Sequence, residues 1–212
     1  LLIENDNRLI LIDSGMGNKQ SKKFFNYYYR WGEQGVERAL AQYGFSKDDV
    51  TDVFLTHLHF DHCGGAVEWN TDRTAYQLTF KNATYWSNED HWHWAKNANK
   101  REKASFLIEN IEPIEQSGHL KYIASAENGF ARNCPLGFDV LFANGHTEKQ
   151  MIPIIKYKKK TLCFMADLLP TAGHVSLPFI MGYDTRPLIT LEEKEAFLNL
   201  AANENYYLFY HL

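Results

Sequence analysis

Residues 56 to 65 read Thr56-His57-Leu58-His59-Phe60-Asp61-His62-Cys63-Gly64-Gly65. Three imidazoles and a carboxylate packed this closely make a poor hydrophobic core and a good grip for a borderline divalent metal. Neutral imidazole and carboxylate suit zinc, iron and manganese, and without a thiolate pair the loop does not read as a Cys-rich structural zinc site. In an extended chain His57 and His59 point to one face and can hold one ion together. The Gly64-Gly65 pair predicts that the chain then turns. Asp61 and His62 are thereby aimed differently from the first pair, so one short loop can serve two neighbouring metal positions.

Three more metal-competent residues follow apolar strand-like runs in the same way. His146 comes after a strand predicted at 138–143, Asp167 after one at 161–165, and His211 after one at 206–210. His57 itself follows Val53-Phe54-Leu55. The C-terminal ends of strands gather along one edge of a sheet, where loop-borne chemistry concentrates. Further expected elements are a buried strand over Leu9-Ile10-Leu11-Ile12 running into Asp13-Ser14-Gly15, a helix over 36–43, a strand at 84–86, a helix over 104–116, and strands at 120–124 and 151–157. An amphipathic helix is expected over 191–202. Ser87 with Asp90 three residues on predicts a capping box opening a helix over 88–100. On that helix His91 and His93 diverge and cannot share an ion, and its Trp-rich face is a candidate pocket lining. Phe24, Phe25, Tyr27, Tyr28, Tyr29 and Trp31 are expected in the core or on the wall of a substrate cleft.

With 212 residues, 45% of them hydrophobic, the chain can bury a full core as a single domain over 1–212, with room for a first strand and a C-terminal tail outside it. Strands in runs interrupted by helices predict a layered α/β fold. No apolar stretch reaches the roughly 20 residues of a membrane span. A net charge of −4 without a basic stripe excludes an electrostatic footprint for nucleic acid. The basic run 156–160 reads as a solvated hairpin turn. Cys63, Cys134 and Cys163 are scattered, which implies no disulfide framework and is compatible with a reducing cytoplasm. The chain opens on Leu1, which leaves room for a leader.

The His57-Leu58-His59-Phe60-Asp61-His62 loop, with downstream His146, Asp167 and His211 in order, resembles the metallo-β-lactamase superfamily from Asp13-Ser14-Gly15 to the last residues. The resemblance implies an αββα sandwich of two mixed sheets flanked by helices, with a two-metal site at one edge. It implies that His57, His59 and His146 bind one metal ion, that Asp61, His62 and His211 bind a second, and that Asp167 bridges them. Asp13 would stand behind the ligands. Two ions about 3.5–4 Å apart repel, so a shared carboxylate and a bridging hydroxide are needed between them. The expected cofactors are therefore two divalent ions, zinc foremost, with manganese or iron as other candidates. The bridging hydroxide would be the nucleophile, and Asp61 the catalytic carboxylate that orients it or carries a proton to the leaving group.

Within the family, the complete Asp61-His62 pair disfavours the true β-lactamases, and His59 disfavours the flavodiiron reductases, which place Glu there. The aromatic-rich insertion between His62 and His146 and the strand-final His211 are more like the lactonase and organophosphate-hydrolase-like branch. The expectation is a hydrolase of a small-molecule lactone or ester, with a glyoxalase-II-like thioesterase or a phosphotriester hydrolase as the alternatives and an iron-dependent persulfide dioxygenase further off. The expected partner is a small-molecule substrate, with a homodimer as a possible assembly and no nucleic acid or membrane. Two departures stand out. The family's Gly-His-Thr-Pro-Gly-His is here Gly145-His146-Thr147-Glu148-Lys149-Gln150, and the Tyr that homoserine-lactone hydrolases carry three residues after the bridging Asp is here Pro170.

Overall fold

In the computed structural model the described residues are 1–5, 7–30, 32, 35–125 and 129–211. In chain order the elements begin β1 (Leu2–Asn5), β2 (Arg8–Ile12), α1 (Lys22–Phe25), α2 (Val36–Gln42), β3 (Asp52–Phe54), α3 (Phe60–Cys63), β4 (Val67–Trp69), β5 (Tyr76–Leu78) and β6 (Thr84–Ser87). They continue α4 (Glu89–Lys96), α5 (Ile108–Gln116), β7 (Leu120–Tyr122), β8 (Phe130–Ala131), β9 (Asp139–Ala143), β10 (Gln150–Tyr157), β11 (Lys160–Phe164), α6 (Pro187–Asn203) and β12 (Tyr207–Phe209). The chain forms two compact units, residues 1–87 with 98–121, and residues 88–97 with 122–211 of those described.

The first unit carries a five-stranded mixed sheet in the order β1-β2-β3-β6-β7. β1 and β2 form an antiparallel hairpin, while β2, β3 and β6 run parallel. Parallel strands covered on both faces read as continuous apolar runs, and Leu9, Ile10, Leu11, Ile12, Val53, Phe54 and Leu55 are all buried. Because β2 and β3 are parallel and in register from Ile10↔Asp52 to Ile12↔Phe54, Asp13 and the Thr56-His57 segment leave the sheet at the same edge.

The second unit carries a five-stranded mixed sheet in the order β12-β11-β10-β9-β8. β9, β10 and β11 pair antiparallel in succession, and β12 lies parallel to β11. β9, β11 and β12 therefore point the same way, and their C-terminal ends deliver His146, Asp167 and His211 to one edge. The basic run is the β10–β11 hairpin turn, with Lys158 and Lys159 exposed. Among the described residues no helix is long and apolar enough to cross a membrane.

Several expectations need correction. The α4 helix is capped by Asn88, whose side chain accepts from the His91 amide, and spans Glu89–Lys96 rather than 88–100; Ser87 belongs to β6. The aromatic stretch is not core: α1 is four residues long, buries none of them, and is followed by exposed Tyr27, Tyr28 and Tyr29. Trp31 of that stretch lies outside the described residues. The strands β1, β4, β5 and β8 were not expected.

Candidate metal centre

In the first unit the His57–His62 loop is held against the end of β2. Asp13 accepts hydrogen bonds from the Thr56 amide (2.8 Å) and the Thr56 hydroxyl (2.7 Å), and its Oδ2 lies 2.7 Å from His62 Nδ1. Ser14 adds two bonds to the His62 carbonyl, from its amide (2.8 Å) and hydroxyl (3.1 Å). The glycines that follow serve this docking by close approach. A Cβ on Gly64 would collide with the Met16 carbonyl and one on Gly65 with the Ser14 carbonyl. Behind them the buried Lys19 ammonium donates to the Gly64 and Val67 carbonyls. Cys63 donates to the Leu58 carbonyl, and burial pushes its thiol up to about 12.

The rings of this loop are buried and close together. His57 Nε2 and His59 Nδ1 are 3.1 Å apart, and the His57 and His62 ring centroids 4.0 Å apart. Asp61, with its side chain 38% exposed, brings Oδ2 to 3.7 Å from His62 Nε2. Each ring is gripped from behind: His57 Nδ1 lies 3.1 Å from Thr56 Oγ1, His62 Nδ1 is on Asp13, and His59 Nε2 is 3.0 Å from Glu102 Oε1.

The second unit repeats the device. His146 Nδ1 lies 3.0 Å from Asp184 Oδ1, a carboxylate 1% exposed, while His146 Nε2 lies 3.3 Å from Asp167 Oδ2. The loop before His146 is clamped by α6: Glu193 accepts from the Asn144 (2.7 Å) and Gly145 (2.9 Å) amides. Burial raises the Glu193 pKa and these two amides pull it back. A Cβ on Gly145 would collide with Thr190, so the β9 end packs onto α6 only with glycine there. His211 is half-buried two residues beyond β12.

This donor set fits the divalent ions that the loop chemistry calls for. A metal-ligating histidine ordinarily gives its other ring nitrogen to a carboxylate, a carbonyl or another polar group, which fixes the tautomer and ring orientation. All four buried rings described above follow that pattern. Described side chains that fall in groups able to hold a metal ion include His57, His59, Asp61, His62, His146, Asp167 and His211. Strain also collects beside them: Asp13 (φ 54°), Ala166 (φ 41°) and Lys149 (φ 52°) occupy the left-handed region that non-glycine residues avoid. Asp13 lies against the His62 ring and Thr56. Glu102 and Asp184 were missed, because neither lies near a ligand in sequence.

Other histidines have ordinary roles. His91 is buried on α4 with Nδ1 at the Glu148 carbonyl, and His174 Nδ1 lies 2.8 Å from Thr171 Oγ1. His93 is exposed.

Comparison with known proteins places this geometry. A family model for the metallo-beta-lactamase superfamily matches residues 1–210. A probable metal-dependent hydrolase from Staphylococcus aureus superposes with a TM-score of 0.86 at 25% identity, covering 99% of this chain and 72% of that one. AidC, a dizinc quorum-quenching lactonase in complex with a product N-hexnoyl-L-homoserine, superposes with a TM-score of 0.73 at 22% identity over 99% of this chain and 70% of its own, a likeness of fold alone. A probable metallo-hydrolase of Mycobacterium bovis is 32% identical over 77 residues, which is 32% of this chain and 25% of that protein's length. The α/β fold, the strand-end histidines and aspartates, and the match over residues 1–210 together make this chain a member of the metallo-beta-lactamase superfamily.

Proposed function

We propose that the chain is a hydrolase that holds two divalent metal ions, zinc foremost with manganese or iron as alternatives, and cleaves the lactone or ester bond of a small molecule. His57, His59 and His146 would hold one ion, Asp61, His62 and His211 the other, and Asp167 would be shared. The observation that carries this reading is the backing of the four buried rings: His62 by Asp13, His59 by Glu102, His146 by Asp184 and His57 by Thr56. Such an investment of buried carboxylates suits ligands held in one tautomer and orientation, and has no purpose in a polar surface loop.

When bound, a pair of divalent ions supplies a water ionised near neutral pH and a Lewis acid for the substrate's carbonyl oxygen. The chain's own residues do the rest. Thr56, Asp13, Glu102 and Asp184 keep the ring faces fixed, so no reorganisation is needed during reaction. Asp61 is the one carboxylate of the loop with substantial solvent exposure, and its Oδ2 beside His62 can carry a proton to the departing alkoxide. The exposed Tyr28, tilted against Phe60 with 5.1 Å between ring centroids, offers apolar surface at the loop to an acyl or aryl group.

Metal analysis combined with a substrate panel tests the reading. Zinc-, manganese- and iron-loaded protein should be assayed on aryl esters, lactones, thioesters and phosphotriesters. Two ions per chain, loss of activity with a chelator, and preference for lactones or esters are expected. Asp61→Ala and His146→Ala should each lower activity by about 10²-fold or more and reduce bound metal, whereas His91→Ala and His174→Ala should leave metal content unchanged. One iron per chain with sulfur-dependent oxygen uptake would overturn the proposal.

A further inference from the structure

Building on the metal-hydrolase reading, we propose that Glu102 is a positioning residue that orients His59 and supplies the negative charge behind it, and so sets the affinity of one of the two metal positions. Glu102 is 4% exposed, and its Oε1 lies 3.0 Å from His59 Nε2. It is itself prepared for that contact. Asn99 Nδ2 donates to Glu102 Oε2 at 3.2 Å, while Asn99 Oδ1 accepts from the Arg101 (2.9 Å) and Glu102 (3.1 Å) amides, a turn that aims the carboxylate inward. The same segment continues to the loop: the Ser105 carbonyl accepts from the Phe60 amide at 2.9 Å, and the Phe106 ring lies 4.8 Å from that of His59. Residues 99–106 are thus a brace built around one histidine.

The geometry also makes His59 different from its neighbours. His57, His62 and His146 are each gripped at Nδ1, whereas His59 is gripped at Nε2 and turns Nδ1 toward His57 Nε2. Through the His59 ring, Glu102 acts on the metal position that this ring would serve. Burying a carboxylate costs several kcal/mol unless opposite charge and hydrogen bonds answer it. A cation held through the His59 ring would answer it, and the carboxylate in turn would make that ring a more basic ligand.

The test is zinc affinity by chelator competition, together with the visible spectrum of cobalt-substituted protein, for wild type, Glu102→Gln, Glu102→Leu and a Glu112→Gln control on the exposed face of α5. Glu102→Gln keeps an acceptor but loses the charge, and should weaken one of the two metal positions by about tenfold; Glu102→Leu loses both and should weaken it by about 100-fold. The second position and the control should be unchanged, and the cobalt bands of both Glu102 variants should shift. Should Glu102→Leu fail to fold, Glu102→Gln still decides the matter. Wild-type protein that binds two ions, with Glu102→Gln of equal affinity and spectrum, would overturn the role of Glu102 alone, even if its metal-free form melts lower. Wild-type protein that binds no metal would overturn the underlying reading and this proposal with it.

Discussion

Lys149 adopts a φ of 52° at the position where the family pattern has glycine. A side chain in the left-handed region costs on the order of 1 kcal/mol or more, and the turn persists because its surroundings fix it. Asn144 Oδ1 accepts from the Lys149 amide at 3.2 Å, Asn88 donates to the Lys149 carbonyl at 2.9 Å, and Arg186 pairs with Glu148 at 2.6 Å while bonding the Asn144 carbonyl. The local motif has changed chemistry and kept its backbone. Lys149→Gly should relieve the strain, partly offset by glycine's greater freedom when unfolded, and raise stability by about 0.5–1 kcal/mol in urea denaturation; a loss of stability would count against strain at this turn. Lys19 is the residue whose titration should be visible in stability. Burial pulls its ammonium from the usual 10.5 down to about 8. Below pH 8 it is protonated whether the chain is folded or not. Between pH 8 and 10.5 the folded state releases the proton first, the unfolded state binds more protons, and unfolding becomes harder as pH rises. Wild type should therefore gain stability relative to Lys19→Met across that window, by at most about 3 kcal/mol. Parallel pH profiles for the two proteins would show that the buried ammonium does not titrate there.

At the scale of elements, the strand ends were the legible part of this chain. β2, β3, β9, β11 and β12 are apolar runs followed by a polar or glycine-bearing loop, and that contrast picked out His146, Asp167 and His211 beside the dense His57–His62 loop, while Asp13 came only from the resemblance. The residues that hold the rings were not legible in the same way. Glu102 stands 43 positions from His59 and Asp184 stands 38 from His146, in loops with no periodicity to mark them. Strands such as β5 and β8, three and two residues long, are too short to show alternation. Of the two readings of the aromatic stretch near α1, core or cleft wall, core fails because ring density does not by itself mean burial, and its tyrosines lie on the surface, Tyr29 79% exposed. Gly64-Gly65 was read as the place where an extended chain turns, but the chain has already turned at α3, and Gly64 continues from it with helical φ and ψ. Their φ values are not what demands glycine; the backbone of residues 14–16 leaves no space for a Cβ. Gly65→Ala should force the Ser14 carbonyl and the His62 end of the loop apart, costing at least about 2 kcal/mol by the overpacking and lost hydrogen bonds and weakening metal binding. Thermal melts of apo protein with zinc titration would check both effects. An unchanged melt would mean that the Asp13–Gly17 loop yields without loss.

At the scale of the whole molecule, each compact unit carries proposed ligands at its strand ends and the loops after them, His57, His59, Asp61 and His62 in the first and His146, Asp167 and His211 in the second. Each unit brings its share already oriented, by Asp13 and Glu102 in the first and by Asp184 in the second. Preorganised donors that an unfolded chain cannot present make metal binding a source of folding free energy. A ligand that binds only the folded state stabilises it by RT ln(1 + [L]/Kd), about 4 kcal/mol per site at a thousandfold excess over Kd. Removing the metal with a chelator should therefore lower the melting temperature by several degrees, and restoring zinc should recover it in proportion to the logarithm of free zinc. Trp69 in the first unit and Trp92 in the second each offer a fluorescence probe of that shift in their own unit. A melting temperature that ignores both chelator and zinc would overturn the reading of these residues as metal ligands.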